Sequence, residues 1–184
     1  MDAYVYLRVQ PGTMQEVLAG ITARSQARRA SAMVGSWDVM VHVEGPDLAT
    51  IATQVISEIH RLPGVVQTLT APVVPPDRIG VTGWTNLGPP AMIHDACYVH
   101  ISAEAGAAAG IAERLGEMTD VVSGVAVLGG EHDLMACVAQ PWEVGSSVIL
   151  ETIQSLPGVI STETLISIAY EEPEEDRDQF STWT

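Results

Sequence analysis

Leu62-Pro63-Gly64-Val65 recurs as Leu156-Pro157-Gly158-Val159, 94 residues later, and that recurrence decides how the chain is built. Each copy is followed by a Thr-x-Thr pair, Thr68 and Thr70 in the first and Thr162 and Thr164 in the second. Upstream of each lies a Gly-x-x-Asp: Gly35-Ser36-Trp37-Asp38 and Gly130-Glu131-His132-Asp133, offset by 95. Tyr4-Val5 and Tyr98-Val99 open the two stretches, again 94 apart. Landmarks in one order, with a one-residue slip, make the chain a tandem repeat of a unit of about 75 residues.

Within the first unit, residues 3–10 alternate and are rich in β-branched and aromatic side chains, which predicts a strand. Pro11-Gly12 ends it. Thr13 is placed to cap a helix with Glu16 as its capping-box partner, and Met14, Val17, Leu18 and Ile21 follow at helical spacing. Residues 24–29, with three arginines, read as the polar C-terminal end of that helix, and residues 31–35 as a short strand. Residues 38–44 alternate, with Val39, Val41 and Val43 on one face. Gly45-Pro46-Asp47 forms a turn and cap, and Leu48, Ile51, Ala52, Val55, Ile59 and Leu62 form an apolar stripe up to the Pro63-Gly64 stop. Residues 65–74 make the last strand.

The order is β-α-β-β-α-β, and the second unit repeats it. Strands are expected at 97–103, 121–128, around Leu134, Ala136 and Val138, and at 159–169; helices are expected at 107–119 and from Gln140-Pro141 onward. The fold class is therefore α+β, with two ferredoxin-like βαββαβ units. Such sheets leave one face open, and pairing two of them covers it, so the chain is expected to fold as a pseudo-dimer like a dimeric α+β barrel. The domains are residues 1–74, a Pro/Gly-rich linker at 75–94 with Ile79, Val81 and Trp84 against the surface, residues 95–170, and an acidic tail at 171–184 whose Phe180 and Trp183 are free to dock on a neighbour.

Charge narrows the function. Residues 1–74 hold six acids and five arginines, whereas residues 95–170 hold ten acids and one arginine, and the whole chain carries −15. A surface this acidic repels phosphate backbones, and there is no basic stripe for them to follow. Direct nucleic-acid binding is not expected. No apolar run reaches the roughly 18 residues of a membrane span, and the start has no leader-like pattern, so the expected location is cytoplasmic, away from membranes. Cys97 and Cys137 are too few for a disulfide framework and lack metal-motif spacing; they read as small buried hydrophobes.

The order of the three motifs resembles the ligand-binding (RAM) domain of the Lrp/AsnC regulators. The resemblance covers residues 3–74 and 96–169. It rests on the Gly-x-x-Asp turn entering a strand, the Leu-Pro-Gly-Val helix stop and the Thr-x-Thr strand, all present twice. Family regulators carry an N-terminal helix-turn-helix domain that this sequence lacks, so the resemblance implies a stand-alone tandem form. It further implies a small-molecule effector, usually an amino acid, bound between neighbouring domains at the glycine turn. Carried over by position, the effector residues are Gly35, Trp37 and Asp38, and Gly130, His132 and Asp133. Homo-oligomers, or co-assembly with full-length Lrp/AsnC regulators, are the implied partners. No cofactor is implied.

The chemistry fits: a glycine turn lets backbone N–H groups approach a carboxylate, and an aspartate accepts from an α-ammonium group. The same aspartates equally suit tying their own turns through side-chain-to-backbone bonds. Trp37 offers an apolar wall, and His132 a polar or pH-sensitive contact. Thr68, Thr70, Thr162 and Thr164 offer hydroxyls but are also ordinary strand residues. His42 and Cys137 align on the non-valine face of their strands and read as facing an inter-sheet or interface surface rather than a metal. Paired ferredoxin-like units also build small monooxygenases and haem-handling enzymes. Yet His42, His60, His94, His100 and His132 show no metal-ligand spacing, and no catalytic triad or phosphate loop occurs. A non-enzymatic effector-binding regulator is the expectation, with a barrel enzyme and an assembly adaptor as alternatives.

Overall fold

The computed structural model describes residues 1–23, 27–83 and 86–169. Eight strands close into a barrel in the order β1 (Asp2–Val9), β3 (Val39–Glu44), β2 (Ala27–Val34), β8 (Val159–Ile168), β5 (Ala96–Ala103), β7 (Leu134–Val138), β6 (Val122–Leu128) and β4 (Val65–Val74), which returns to β1. Every neighbouring pair is antiparallel. Each repeat contributes four consecutive members of the ring, so this is the expected α+β pair of βαββαβ units. Two short seams join them: Ala32–Val34 of β2 on Ile168–Ile166 of β8, and Val73 and Val74 of β4 on Leu128 and Val127 of β6. The seams pair the edge strands that each unit alone would leave open.

Strand alternation sorts the core into three parts. In the first repeat, Ala3, Val5, Leu7, Val39, Val41 and Val43 pack outward under α1 (Met14–Thr22) and α2 (Leu48–Gln54). In the second, Val99, Ile101, Val125, Leu134 and Ala136 pack under α3 (Ala108–Glu117) and α4 (Trp142–Ser147). Tyr4, Tyr6, Met40, Ala71, Tyr98, Met135, Cys137 and Leu165, drawn from both repeats, fill the barrel. Cys97 and Cys137 are buried and free.

The Leu-Pro-Gly-Val motif has a mechanical explanation. Gly64 and Gly158 sit at φ +89° and +88°, a left-handed conformation that glycine adopts without strain. A Cβ there would overlap Thr13 in the first repeat and Ala107 in the second. The glycine carbonyls accept from Gln10 N and Glu104 N, both at 2.7 Å. Each motif thus stops the second helix and fastens it to the loop before the first.

Several local expectations change. Thr13 does not cap α1: its φ of −105° and ψ of 5° are outside the extended region a cap needs, and its hydroxyl donates to Gln10 O at 2.8 Å instead. Asp47 does cap α2, accepting from Thr50 N at 2.8 Å. Helix α1 ends at Thr22 and β2 already begins at Ala27, so Arg28 and Arg29 belong to a strand rather than a helix end; Arg24 lies outside the described residues. Leu48, expected in the apolar stripe of α2, is 45 % exposed. It occupies the first turn, before the helix settles on the sheet.

The linker goes deeper than a surface strap. Val81 is 1 % exposed within the second repeat's outer core, and Leu87 forms a parallel bridge with Val125 of β6. Met92 and Ile93 enter the barrel core. Tyr4 Oη donates to Pro90 O at 3.1 Å, Tyr98 Oη donates to Ala91 O at 2.9 Å, and Ser167 Oγ donates to Ile93 O. One end of the barrel is therefore plugged by residues 90–93. Trp84 and the 171–184 tail, with Phe180 and Trp183, lie outside the described residues. Among the described residues no helix is long and apolar enough to cross a membrane.

Candidate functional site

Because neighbouring strands alternate in direction, β1 and β5 run the same way. Both Gly-x-x-Asp turns therefore stand at one end of the barrel, opposite the linker plug. Tyr4 and Tyr98 lie near the plug, Tyr6 and His100 come next, and Arg8 and Ser102 reach the end with the turns.

At that end the side chains form a continuous row. The Arg8 guanidinium lies 5.2 Å over the Trp37 ring, and the Trp37 and Tyr6 ring centroids are 6.1 Å apart. Tyr6 Oη is 2.7 Å from His100 Nε2. The His100 and His132 rings are 5.2 Å apart, and His132 Nε2 is 3.3 Å from Glu163 Oε2. Ser102 Oγ lies 3.2 Å from His132 Nδ1. Exposure rises outward from the barrel centre: His100 is 2 % exposed, and the side chains of His132 and Glu163 are 19 % and 37 % exposed.

Burial sets the protonation. It pushes the His100 imidazole down to about 3, helped by neighbouring His132 and opposed by the Glu163 backbone, so His100 is neutral at physiological pH. Burial, and then the Glu163 carboxylate, raise Tyr6 far above the ordinary phenol range. The centre of the row is thus a neutral phenol–imidazole pair, with a cation at one end and a carboxylate at the other.

The turn aspartates hold the strands that present this row. Asp38 Oδ2 accepts from Val9 N, and Asp133 Oδ2 accepts from Ala103 N, both at 2.8 Å. Asp38 N donates to Leu7 O at 2.9 Å, and Asp133 N donates to Ile101 O at 3.0 Å. These clamps fall where β1 and β5 shift register, at Arg8/Val9 and Ser102/Ala103. Such bulges re-aim side chains; here the re-aimed residues are Arg8 over Trp37 and Ser102 beside His132. In both turns one carboxylate oxygen is engaged by backbone, the turn-fixing role, directed at the neighbouring strand rather than at the turn itself.

Of the other expected site residues, Trp37 and His132 stand in the row. Gly35 and Gly130 take φ +150° and +144°. A Cβ on Gly35 would lie 2.6 Å from Leu165 Cδ2, whereas one on Gly130 meets nothing within 4 Å. The difference follows from the seam partner, Leu165 in the second repeat and Ala71 at the equivalent place in the first. The four threonines are not brought to the row. Leu69 and Ala71 face the barrel, so Thr68 and Thr70 point to the helix side, and Thr162 accepts from Gln154 Nε2 at 2.8 Å on that side. The residue between Thr162 and Thr164, Glu163, is the one that reaches the row. Among the described residues no group of three or more His, Cys, Asp or Glu side chains is arranged to hold a metal.

Residues 2–75 match the family model of the Lrp/AsnC ligand binding domain. The match covers the first repeat. No curated protein matches the chain. Among solved structures, a hypothetical protein of Pyrococcus horikoshii is 23% identical, covering 38% of this chain and 83% of its own, with a TM-score of 0.36. A Thermus thermophilus protein is 25% identical over 38% of this chain and 86% of its own, also at 0.36. The siroheme decarboxylase NirDL, at 10% identity, covers 91% of this chain and 71% of its own with a TM-score of 0.65. Its complex with an iron-uroporphyrin III analogue gives 0.64 at 11% identity, covering 91% of this chain and 70% of its own. The NirDL likeness extends over both repeats and is one of fold.

Proposed function

We propose that this protein is a regulatory protein of Lrp/AsnC type that senses a small molecule, an amino acid, at the barrel end carrying the two Gly-x-x-Asp turns. The observation that carries this reading is the convergence of those turns. They bring Trp37 and His132, one from each repeat, into one partly exposed polar row. Effector occupancy then shifts an assembly equilibrium, with further copies of the chain or with full-length Lrp/AsnC regulators, by favouring one arrangement. The chain's charge of −15 opposes contact with nucleic acid, so DNA recognition falls to a partner.

A second reading is a barrel enzyme acting on an iron tetrapyrrole. What favours it is the pair of imidazoles, His100 and His132, at the barrel end of a chain whose two repeats share their fold with NirDL. The experiment that separates the readings is a thermal-shift screen against the twenty amino acids and an iron-porphyrin panel. A ligand at a hundred times its Kd stabilises the folded state by about 2.7 kcal/mol. An amino-acid hit that also changes the sedimentation profile supports the regulatory reading. A porphyrin hit with a displaced Soret band supports the enzyme. Stabilisation by neither leaves an assembly adaptor.

A further inference from the structure

The two halves of the row are unlike. By the 94-residue offset Ser102 corresponds to Arg8 and Glu163 to Leu69, and by the 95-residue offset His132 corresponds to Trp37. The first repeat folds with none of these three polar groups, so the fold does not require them in the second. There they form a connected set: Ser102 Oγ lies 3.2 Å from His132 Nδ1, and His132 Nε2 lies 3.3 Å from Glu163 Oε2. With the Nε2 proton held by the Glu163 carboxylate, Nδ1 keeps its lone pair for the Ser102 hydroxyl proton. All three residues are partly exposed. One clamp fixes the Ser102–His132 contact, because Asp133, next to His132, accepts from the N–H of Ala103, next to Ser102. The three groups come from β5, the turn before β7, and β8, and are separated by 30 and 31 residues, so no local motif marks them.

We propose that Ser102, His132 and Glu163 form an acyl-transfer site that hydrolyses esters of small, uncharged carboxylic acids. The inference goes beyond the effector reading and stands or falls apart from it. His132 acts as general base. As the bond from Ser102 Oγ to the ester carbonyl carbon forms, the hydroxyl proton passes to Nδ1; it is then delivered to the departing alkoxide as the ester C–O bond breaks. A water molecule, deprotonated by the same nitrogen, attacks the acyl-serine, releasing the acid and restoring the hydroxyl. Glu163 is a positioning residue: it orients the ring and offsets the charge of the imidazolium that forms. The Ala103 N–H beside the nucleophile is already taken by Asp133. The Glu131 and His132 amides of the turn donate to no backbone acceptor among the described residues, and they are the donors left for the developing oxyanion. Acyl groups that carry a carboxylate are disfavoured, because Glu163 and the turn residues Glu131 and Asp133 hold negative charge at this end of the barrel.

The test uses the full chain with p-nitrophenyl acetate, read by p-nitrophenolate release, and with a fluorophosphonate as an irreversible label located by peptide mass mapping. The phosphonyl group is expected on Ser102, and Ser102→Ala should lose both the label and the ester hydrolysis above background. His132→Gln should slow hydrolysis by about a hundredfold to ten-thousandfold, the range for a positioned general base. Glu163→Gln should lower kcat while leaving KM and the melting temperature near those of the wild type, a split that a purely structural role would not give. The exposed imidazoles of His60 and His94 also react with activated esters, but both remain in Ser102→Ala, so the difference between the two chains isolates the serine. Should Ser102→Ala fail to fold, the position of the label on the wild-type chain decides alone. Absence of label at Ser102, or ester hydrolysis unchanged in a folded Ser102→Ala chain, would overturn the proposal.

Discussion

Tyr6 and His100 hold equivalent places in the two repeats, and their side chains meet inside the barrel with Oη 2.7 Å from Nε2. The contact ties one repeat to the other at the point where their sequences diverge. Tyr6→Phe leaves a buried imidazole nitrogen without its partner, a change of about 1–3 kcal/mol. A double-mutant cycle with His100→Leu, read by urea unfolding, should show coupling between the two sites. Strict additivity would mean that the contact contributes nothing.

Acid sensitivity follows from the same imidazole. Its pKa is about 3 in the folded protein against an ordinary 6.5, so below 6.5 the unfolded chain binds a proton that the folded chain refuses. Its contribution is complete above pH 6.5 and is lost as pH falls from there toward 3, with a slope approaching about 1.4 kcal/mol per pH unit. Unfolding curves across that window should be steeper with pH for the wild type than for His100→Leu.

The two turn aspartates should behave alike in stability. Asp38→Ala and Asp133→Ala each remove the acceptor for a strand N–H, Val9 or Ala103, and each should cost about 1–3 kcal/mol. Thermal melts of the two variants make the comparison. A large effect at one and none at the other would contradict the shared clamp.

The turn glycines should differ. Alanine at either position faces a positive φ, but only Gly35→Ala also drives a Cβ into Leu165. Gly35→Ala should therefore be the more destabilising, and Leu165→Ala should relieve part of its excess when the two are combined. Equal melting temperatures for Gly35→Ala and Gly130→Ala would contradict the packing described at the seam.

Much of this architecture is legible in the sequence. The strands carrying Val39, Val41 and Val43, and Leu134, Ala136 and Val138, alternate, and the Leu-Pro-Gly-Val stops fix where each second helix ends. The start of β2 is not legible, because its arginines imitate the charged end of a helix. The linker's descent into the barrel is hidden as well: Met92 and Ile93 sit in a Pro-rich stretch with no periodicity to mark burial. At the site, the repeat offset identifies Trp37 and His132 but overvalues the threonines, since equivalence between repeats selects what holds the fold. Arg8, Tyr6, His100 and Glu163 are marked by the opposite signal. They are positions on the barrel-facing side of their strands, or at its mouth, where the two repeats differ in polarity.

The number of ligands each chain takes tests the shared barrel end most directly. Calorimetric titration with the tightest-binding amino acid is predicted to saturate at one molecule per chain, because Trp37 and His132, one from each repeat, stand in one continuous row through Tyr6 and His100. Saturation at two would contradict the account and make each Gly-x-x-Asp turn a site of its own.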